Sequence, residues 1–201
     1  MSQVPDQSKH RDNSPHSRAS ECSNLIDRGA KRPSSSRMAA SSKIPSRTFY
    51  DQYHGHNEGY LQQITDEFRS RNKGIIWFAG DSTLDNKYWF NAAHDACNGY
   101  EDLLNPPQMK ADVCYWTNYE LSRNRSAFHL VCVNTAVEAT TLSGRSCCRL
   151  LGQDKVIQEN IGENDYLVVS IGGNDIALQV NSTRSLSCHD LTKKNVFFFA
   201  F

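Results

Sequence analysis

Several features are scarce or missing in this chain of 201 residues, and each absence excludes a class of protein. The chain has no net charge, with 22 Lys and Arg against 22 Asp and Glu, so its total charge does not attract nucleic acid or an anionic membrane. No apolar run approaches the roughly 18 residues of a membrane span, and the polar N-terminus contains no secretory signal. The seven cysteines form no C-x-x-C pair, which fits neither a disulfide scaffold nor a zinc site. We expect a cytoplasmic protein with free thiols, no membrane span and no nucleic-acid partner.

The neutral total conceals two unlike parts. Residues 1–47 contain nine Lys or Arg against four Asp or Glu, together with twelve Ser and four of the six Pro. Residues 48–201 have the opposite balance, with 13 basic against 18 acidic residues. Apolar residues in the first part have no period, so that part cannot bury enough surface to offset its backbone entropy. The composition predicts a disordered basic tail over residues 1–47 and a folded part that begins near Thr48.

Three short apolar runs, at residues 75–79, 128–133 and 166–171, predict strands buried on both faces. A helical period in residues 60–68 precedes the first run, and a second one in residues 153–164 lies between the second and third. Strands that alternate with helices predict βαβ units with a parallel sheet. The expected fold is therefore α/β, arranged as a three-layer α/β/α sandwich.

Small polar residues follow each predicted strand. They are Gly80, Asp81 and Ser82 after the first, Asn134 to Thr140 after the second, and Gly172, Gly173, Asn174 and Asp175 after the third. Because the carboxyl ends of parallel strands share one edge of the sheet, we expect the three clusters to meet there.

Two residues in these clusters suggest chemistry. Ser82 lies at a predicted strand-to-helix turn, which would expose its hydroxyl beside its own amide and suit a nucleophile, although a serine there is also a common helix N-cap. The Asn174 side chain could donate to an oxyanion, although Gly-Gly-Asn-Asp is also good turn chemistry.

Taken together and in this order, the clusters resemble blocks I, II and III of the SGNH (GDSL-type) hydrolases over about residues 74–180. The resemblance implies a flavodoxin-like sandwich and a serine esterase without cofactor or metal, acting on a small-molecule, lipid or carbohydrate ester. It implies that Ser82 is the nucleophile and that the oxyanion hole consists of the Ser82 amide, the Ala139 amide and the Asn174 side chain. Six further residues would support the site: Gly80, Asp81, Asn134, Gly172, Gly173 and Asp175.

The chain departs from the family pattern in two places. Ala139 stands where the family usually has glycine, and alanine keeps the required N–H there if its φ is negative. The family's Asp-x-x-His block is absent from the 27 residues after Asn174, where the sole histidine, His189, has the wrong spacing. We therefore expect residues 48–180 to be a truncated hydrolase domain without an identified base, followed by an atypical segment over residues 181–201. The alternative function is an inactive SGNH-fold fragment that binds a partner.

Other residues have structural interpretations. Asp81 is expected to fix its loop by hydrogen bonds, and Asp85 to complement a helix dipole. His54 and His56 are expected at the surface, His94 on a helix and His129 within a strand. The aromatic residues Tyr88, Trp89, Phe90, Tyr115 and Trp116 are expected in the core rather than in a substrate pocket. No G-x-G-x-x-G or P-loop follows a strand, which disfavours a nucleotide-binding module.

Overall fold

The computed structural model describes residues 42–145, 149–178 and 196–199. In chain order the elements are β1 (Ile44–Pro45), α1 (Ser46–Tyr50), α2 (Glu58–Ser70), β2 (Gly74–Gly80), β3 (Ala93–Asp95), α3 (Tyr100–Leu103), β4 (Leu104–Asn105), β5 (Gln108–Lys110), α4 (Val113–Arg123), β6 (Leu130–Asn134), α5 (Gly152–Asn160), β7 (Tyr166–Ser170), α6 (Gly173–Leu178) and β8 (Val196–Phe199). Short 3₁₀ helices cover Lys87–Trp89 and Ser143–Arg145.

The central sheet has four parallel strands in the order β6-β2-β7-β8. Its first three strands are the predicted ones, so the α/β fold class with a parallel sheet is confirmed. The fourth strand, β8, lies in the segment that we expected to be atypical. Its Val196 pairs with Leu167, and its Phe199 pairs with Ser170. The run satisfies backbone groups along β7 that a three-stranded sheet would leave unpaired.

Strand β2 is buried on both sides, which explains its uninterrupted apolar sequence. Ile75, Trp77 and Ala79 belong to the larger core cluster, whereas Phe78 belongs to a second one with Cys132. Successive side chains of a strand point to opposite faces, so each face of β2 needs its own apolar cover.

Helix α2 covers part of the larger cluster, as its period predicts. The Asn57 side chain caps its first turn by accepting from the amides of Gly59 (2.9 Å) and Tyr60 (3.3 Å). Leu61, Ile64 and Phe68 are fully buried, and burial of each such side chain stabilises the fold by roughly 1.5–3 kcal/mol.

The fold begins earlier than the composition predicts. Ile44 is buried and pairs with Leu104, and α1 begins at Ser46, so the boundary at residue 48 is about four residues too late. Ile44 is a single apolar residue in a Ser-rich stretch, so no hydrophobic period in the sequence indicates that it is buried. Residues 1–41 and the segment that contains His189 lie outside the described residues.

No helix in the described part of the chain is both long and apolar enough to cross a membrane. Three cysteines in that part, Cys97, Cys114 and Cys132, are free thiols. Two histidines differ from expectation: His94 lies in β3, not on a helix, and His129 is exposed just before β6, not within it.

Candidate active site at the carboxyl edge of the sheet

Ser82 lies in a tight turn directly after β2. The amides of Leu84 (3.1 Å) and Asp85 (2.9 Å) both donate to the Asp81 carbonyl, and the chain then enters the short 3₁₀ helix. The predicted α-helix after Ser82 is therefore wrong, and Ser82 is not an N-cap of one. None of the described residues forms a hydrogen bond with the Ser82 hydroxyl, which is half-buried.

Asp81 holds this turn against the end of β7. Its buried carboxylate accepts from the Thr83 amide (3.0 Å) and from the Gly172 amide (3.3 Å). The loop-fixing role predicted for Asp81 is confirmed. These bonds orient the peptide on which Ser82 sits.

Gly80 allows β2 to pass close to β7 just before Ser82. A Cβ at this position would overlap the Ser170 carbonyl oxygen, so no residue with a side chain fits without a backbone shift. The Gly80 carbonyl in turn accepts from the Val137 amide (2.9 Å), which joins the first cluster to the second.

Asn134 and Ala139 define the geometry of the second cluster. The buried Asn134 side chain donates to the Leu84 carbonyl (2.8 Å) and accepts from the Ala136 amide (3.1 Å). Ala139 has φ +59°, in the left-handed region that favours glycine, so the condition of a negative φ is not met. Neither the Ser82 amide nor the Ala139 amide has a hydrogen-bond acceptor among the described residues.

The third cluster is joined to the second by hydrogen bonds from its side chains. Asn174 Nδ2 donates to the Thr140 carbonyl (2.9 Å), and this uses one of its two amide hydrogens. Asp175 accepts from the amides of Leu142 (2.7 Å) and Ser143 (3.1 Å). Gly172 precedes these residues with φ +126°, a conformation that requires glycine. The three clusters thus lie together at one edge of the sheet, as predicted.

Arg145 contacts two of the clusters, and no motif in the sequence indicates this role. Its Nη2 donates to the Gly80 carbonyl (2.5 Å) and to Thr140 Oγ1 (3.0 Å), while Nη1 pairs with Asp154 (2.5 Å). The Arg145 side chain is only 8% exposed, and its Nε has no partner among the described residues. Burial lowers the pKa of Arg145, against the opposing effect of the Asp154 carboxylate.

A buried ion pair follows the Ser82 turn in the chain and connects it to neighbouring segments. Asp85 and Lys87 are both fully buried, and Lys87 Nζ donates to Asp85 Oδ1 (2.5 Å). Asp85 Oδ2 accepts from the amides of Gly55 (2.8 Å) and Glu138 (2.8 Å). The helix-dipole interpretation of Asp85 is therefore wrong, because this carboxylate connects three separate segments instead.

Two titratable groups near this pair have strongly shifted pKa values. His56 is buried and stacks on Phe49 (4.0 Å between ring centroids), so its expected surface position is wrong. Burial, followed by the charge of Lys87, lowers the pKa of His56 to about 3. Asp112 caps α4 by accepting from the Tyr115 amide (2.8 Å), and its burial raises its pKa to about 7.

The aromatic residues after Ser82 are mostly exposed, which contradicts the expected core placement. Tyr88, Trp89 and Phe90 are exposed, as is Trp116 on α4, and only Tyr115 is buried. Trp89 Nε1 donates to Oε1 of Glu138 (3.0 Å), a buried residue next to Ala139 that the sequence did not single out.

The described histidines provide no partner for Ser82. His54 is exposed and its Nδ1 donates to the Glu138 carbonyl (3.2 Å), His56 donates to the Phe49 carbonyl (2.8 Å), and neither has a hydrogen bond to Ser82. Within the described residues, no three His, Cys, Asp or Glu side chains cluster as a metal site requires.

No family model, curated protein or solved structure matches this chain. The interpretation of the site therefore depends on the three clusters and on the contacts that join them.

Proposed function

We propose that this chain is an SGNH-type serine ester hydrolase, with Ser82 as its nucleophile and a three-layer, flavodoxin-like sandwich as its fold. The observation that carries the proposal is the junction of the three clusters at the carboxyl edge of the parallel sheet. Ser82 lies on a turn fixed by Asp81, and Asn174 is bonded to the residue that follows Ala139. Ligand sites in open parallel sheets lie at this edge.

In the proposed reaction, Ser82 Oγ attacks the ester carbonyl, and its proton passes to solvent water as the new C–O bond forms. The carbonyl oxygen becomes an oxyanion, which the Ser82 and Ala139 amides and the second amide hydrogen of Asn174 stabilise. Each such donor contributes roughly 3 kcal/mol in the transition state. Collapse of the tetrahedral intermediate breaks the bond to the leaving oxygen, which takes a proton from water and departs as the alcohol. Water then attacks the acyl-enzyme, which releases the carboxylic acid and returns the proton to Ser82 Oγ.

The amides are suitable donors because they have no acceptor among the described residues, so no internal hydrogen bond has to break when the oxyanion forms. Ala139 does not meet the condition of a negative φ, but it keeps its N–H at a positive φ that strains its backbone. No described side chain has a hydrogen bond to the Ser82 hydroxyl, so water is the acceptor of its proton.

That missing base favours a second candidate function, a binding protein that keeps the fold without turnover. No histidine in the described ranges has a hydrogen bond to Ser82. Loss of the base from a serine triad lowers the rate by about 10⁴- to 10⁶-fold, although the oxyanion hole retains part of the acceleration.

Hydrolysis of p-nitrophenyl acetate separates the two candidates. For the hydrolase, we expect Ser82→Ala to lower kcat/KM by about three orders of magnitude or more, because the nucleophile is lost. Ser126→Ala is the matched control, since Ser126 is exposed and lies in the loop before β6, at the amino end of the sheet, and it should leave the rate unchanged. Equal rates for the folded wild type and Ser82→Ala would contradict the hydrolase.

A further inference from the structure

Helix α4 borders a groove on its solvent-facing side that the proposed function does not use. The groove has a volume of about 770 Å³, which lies within the roughly 300–1,000 Å³ of small-molecule sites. None of the residues that line it belongs to the three clusters around Ser82. We call this cavity the α4 groove, and its lining includes Val113, Trp116, Glu120, Leu121, Arg123 and Arg125.

One part of the α4 groove is apolar and fixed by packing. Val113 and Leu121 are half-buried and pack against the second core cluster, so they form a floor that the fold holds in place. Trp116 is 49% exposed, and its ring is in edge-to-face contact with Tyr115 (5.1 Å between ring centroids) and Tyr119 (5.6 Å). A large ring that its neighbours hold in place, and that is half open to solvent, offers a flat surface for an aromatic ligand.

The other end of the α4 groove contains two arginines. The Arg123 guanidinium lies 5.1 Å from the centroid of the Tyr119 ring, and its Nη1 donates to the Tyr119 hydroxyl (2.8 Å). Arg125 lies in the loop after α4, which the Asn124 side chain fixes by accepting from the Ser126 amide (3.0 Å). Neither arginine is in an ion pair with a described carboxylate, so both charges are available to an anion.

The order of these groups along the helix suggests the form of the ligand. Trp116, Glu120 and Arg123 are spaced i, i+4 and i+7, so they lie on one face of α4. The seven residues from the ring to the guanidinium correspond to a rise of roughly 10 Å. A nucleoside diphosphate presents matching groups in the same order: a base that stacks on a ring, ribose hydroxyls that donate to a carboxylate, and phosphates that pair with arginine.

The charges of the α4 groove disfavour other classes of ligand. A fatty acid would place its chain against the Glu120 carboxylate and remove it from water without supplying a donor. An ammonium ligand would be repelled by Arg123 and Arg125. A bare phosphate would contact the arginines and leave the Trp116 ring uncovered.

We propose that the α4 groove binds a nucleoside diphosphate, with its base on Trp116, a ribose hydroxyl donating to Glu120, and its phosphates on Arg123 and Arg125. The groove offers one indole ring, so it accommodates one base rather than a strand of nucleic acid. This binding does not depend on the reaction proposed for Ser82.

Calorimetric titration of the full chain tests this proposal, with ADP as the probe and with adenosine and pyrophosphate as its two halves. We expect ADP to bind at least about tenfold more tightly than either half, because only ADP contacts both ends of the groove. Trp116→Ala should weaken ADP binding about tenfold or more and leave pyrophosphate binding unchanged. Arg123→Ala should weaken the binding of both, because it removes a charge that pairs with phosphate.

Two further variants are matched controls. Trp89→Ala removes an exposed indole outside the groove, and Arg47→Ala removes an exposed arginine on α1, so neither should change the affinity for ADP. Trp116→Phe keeps a flat ring and should lose less affinity than Trp116→Ala. Arg125→Ala changes an exposed loop residue and should weaken ADP binding about tenfold, which keeps the test decisive if a variant on α4 does not fold.

The contrary outcomes are distinct. Absence of ADP binding by a chain whose urea unfolding is cooperative overturns the nucleotide site, and so does an affinity for ADP that Trp116→Ala and Arg125→Ala leave unchanged. Equal affinities for ADP and pyrophosphate overturn it as well, because they would show an anion-binding patch without a base site. Tighter binding of single-stranded oligoadenylate than of ADP would instead identify a strand-binding surface. ADP binding is expected whether or not Ser82 hydrolyses esters, so failure of the proposed function leaves this result unchanged.

Discussion

The two ends of the parallel sheet differ in how completely their buried polar groups are hydrogen-bonded. At the amino end, Asp165 accepts from the Arg69 guanidinium, from the amides of Ile75 (2.9 Å) and Gly162 (2.8 Å), and from Trp77 Nε1 (3.0 Å). At the carboxyl edge, Glu138 Oε2 and Arg145 Nε have no partner among the described residues, and Ala139 has a positive φ. We call the amino end saturated, because its buried carboxylate Asp165 has a donor for each of its oxygens. We call the carboxyl edge unsaturated, because it contains two buried polar atoms without a partner and a residue with a strained backbone.

The pKa values follow the same division. Burial would raise the pKa of Asp165, but the bonds from Arg69, Gly162, Ile75 and Trp77 outweigh it and hold the pKa below its usual range. Around the Asp85–Lys87 pair burial dominates, so the pKa of Asp112 rises to about 7 and that of His56 falls to about 3. Folds tolerate local conflicts of this kind chiefly at functional sites, which the rest of the structure must then stabilise.

The largest expected effect is at the saturated end. Asp165→Ala should lower the free energy of unfolding by about 3–5 kcal/mol, because it leaves Arg69 and the buried Trp77 N–H without their acceptor. Asp102→Ala is the matched control, since it breaks an exposed pair with Arg71 and should cost less than about 1 kcal/mol. Urea unfolding measures both. Similar costs for the two variants would show that Asp165 does not anchor the amino end.

Arg145→Ala should cost less stability than Asp165→Ala but affect reactivity more. We expect a loss of about 1.5–3 kcal/mol, together with slower acylation of Ser82, because Gly80 and Thr140 lose the side chain that joins them. Arg47→Ala removes a mostly exposed pair with Asp51 and should change neither quantity. Urea unfolding and the acylation rate are the two measurements, and an unchanged acylation rate would count against a positioning role for Arg145.

His56 and Asp112 should give opposing pH dependences. Folded His56 stays neutral while the unfolded state gains a proton below about 6.5, so its contribution to stability falls as the pH drops from 6.5 toward 3. Folded Asp112 keeps its proton below about 7 whereas the unfolded state releases it above 3.8, so its contribution rises as the pH drops over that range.

Asp112→Asn retains a side-chain oxygen that can cap α4. It removes only the pH dependence of stability that comes from the Asp112 carboxyl. Relative to the wild type, its stability should fall by about 1.4 kcal/mol per pH unit between pH 6 and pH 4. Urea unfolding at three pH values in this range provides the test. Parallel curves for the two proteins would mean that Asp112 does not titrate as its burial implies.

The smallest expected effect is relief of the strain at Ala139. Ala139→Gly should stabilise the chain by up to about 1 kcal/mol, because glycine adopts φ +59° without a Cβ penalty and only part of that gain is lost to backbone entropy. Asn72→Gly, at φ +55°, is the control and should gain less, since asparagine already tolerates this conformation. A destabilised Ala139→Gly, measured by urea unfolding, would argue that the positive φ is not strained.

The elements that the sequence predicted correctly are those whose signal is local. The uninterrupted run of β2 indicates burial on two faces, and the period of α2 indicates one apolar face, so both could be read without knowledge of their neighbours. The meeting of the three clusters followed from parallel topology alone, because such strands end at a common edge.

The errors concern residues whose environment is formed by distant segments. The helix expected after Ser82 is replaced by a turn, which Asn134 supports through the Leu84 carbonyl. The His56 carbonyl accepts from the Gln153 side chain, 97 residues later, and Arg145 donates to the Gly80 carbonyl, 65 residues earlier. Pairings of this kind leave no periodic signal in one sequence.

The central claim is that Ser82, at the unsaturated edge, is a reactive nucleophile. Labelling of the full chain with an active-site fluorophosphonate, followed by mass-spectrometric mapping of the modified peptide, tests it most directly. We expect one adduct, on Ser82, that disappears in Ser82→Ala and persists in Ser126→Ala. A folded chain without an adduct, or with an adduct that Ser82→Ala does not remove, would contradict the claim.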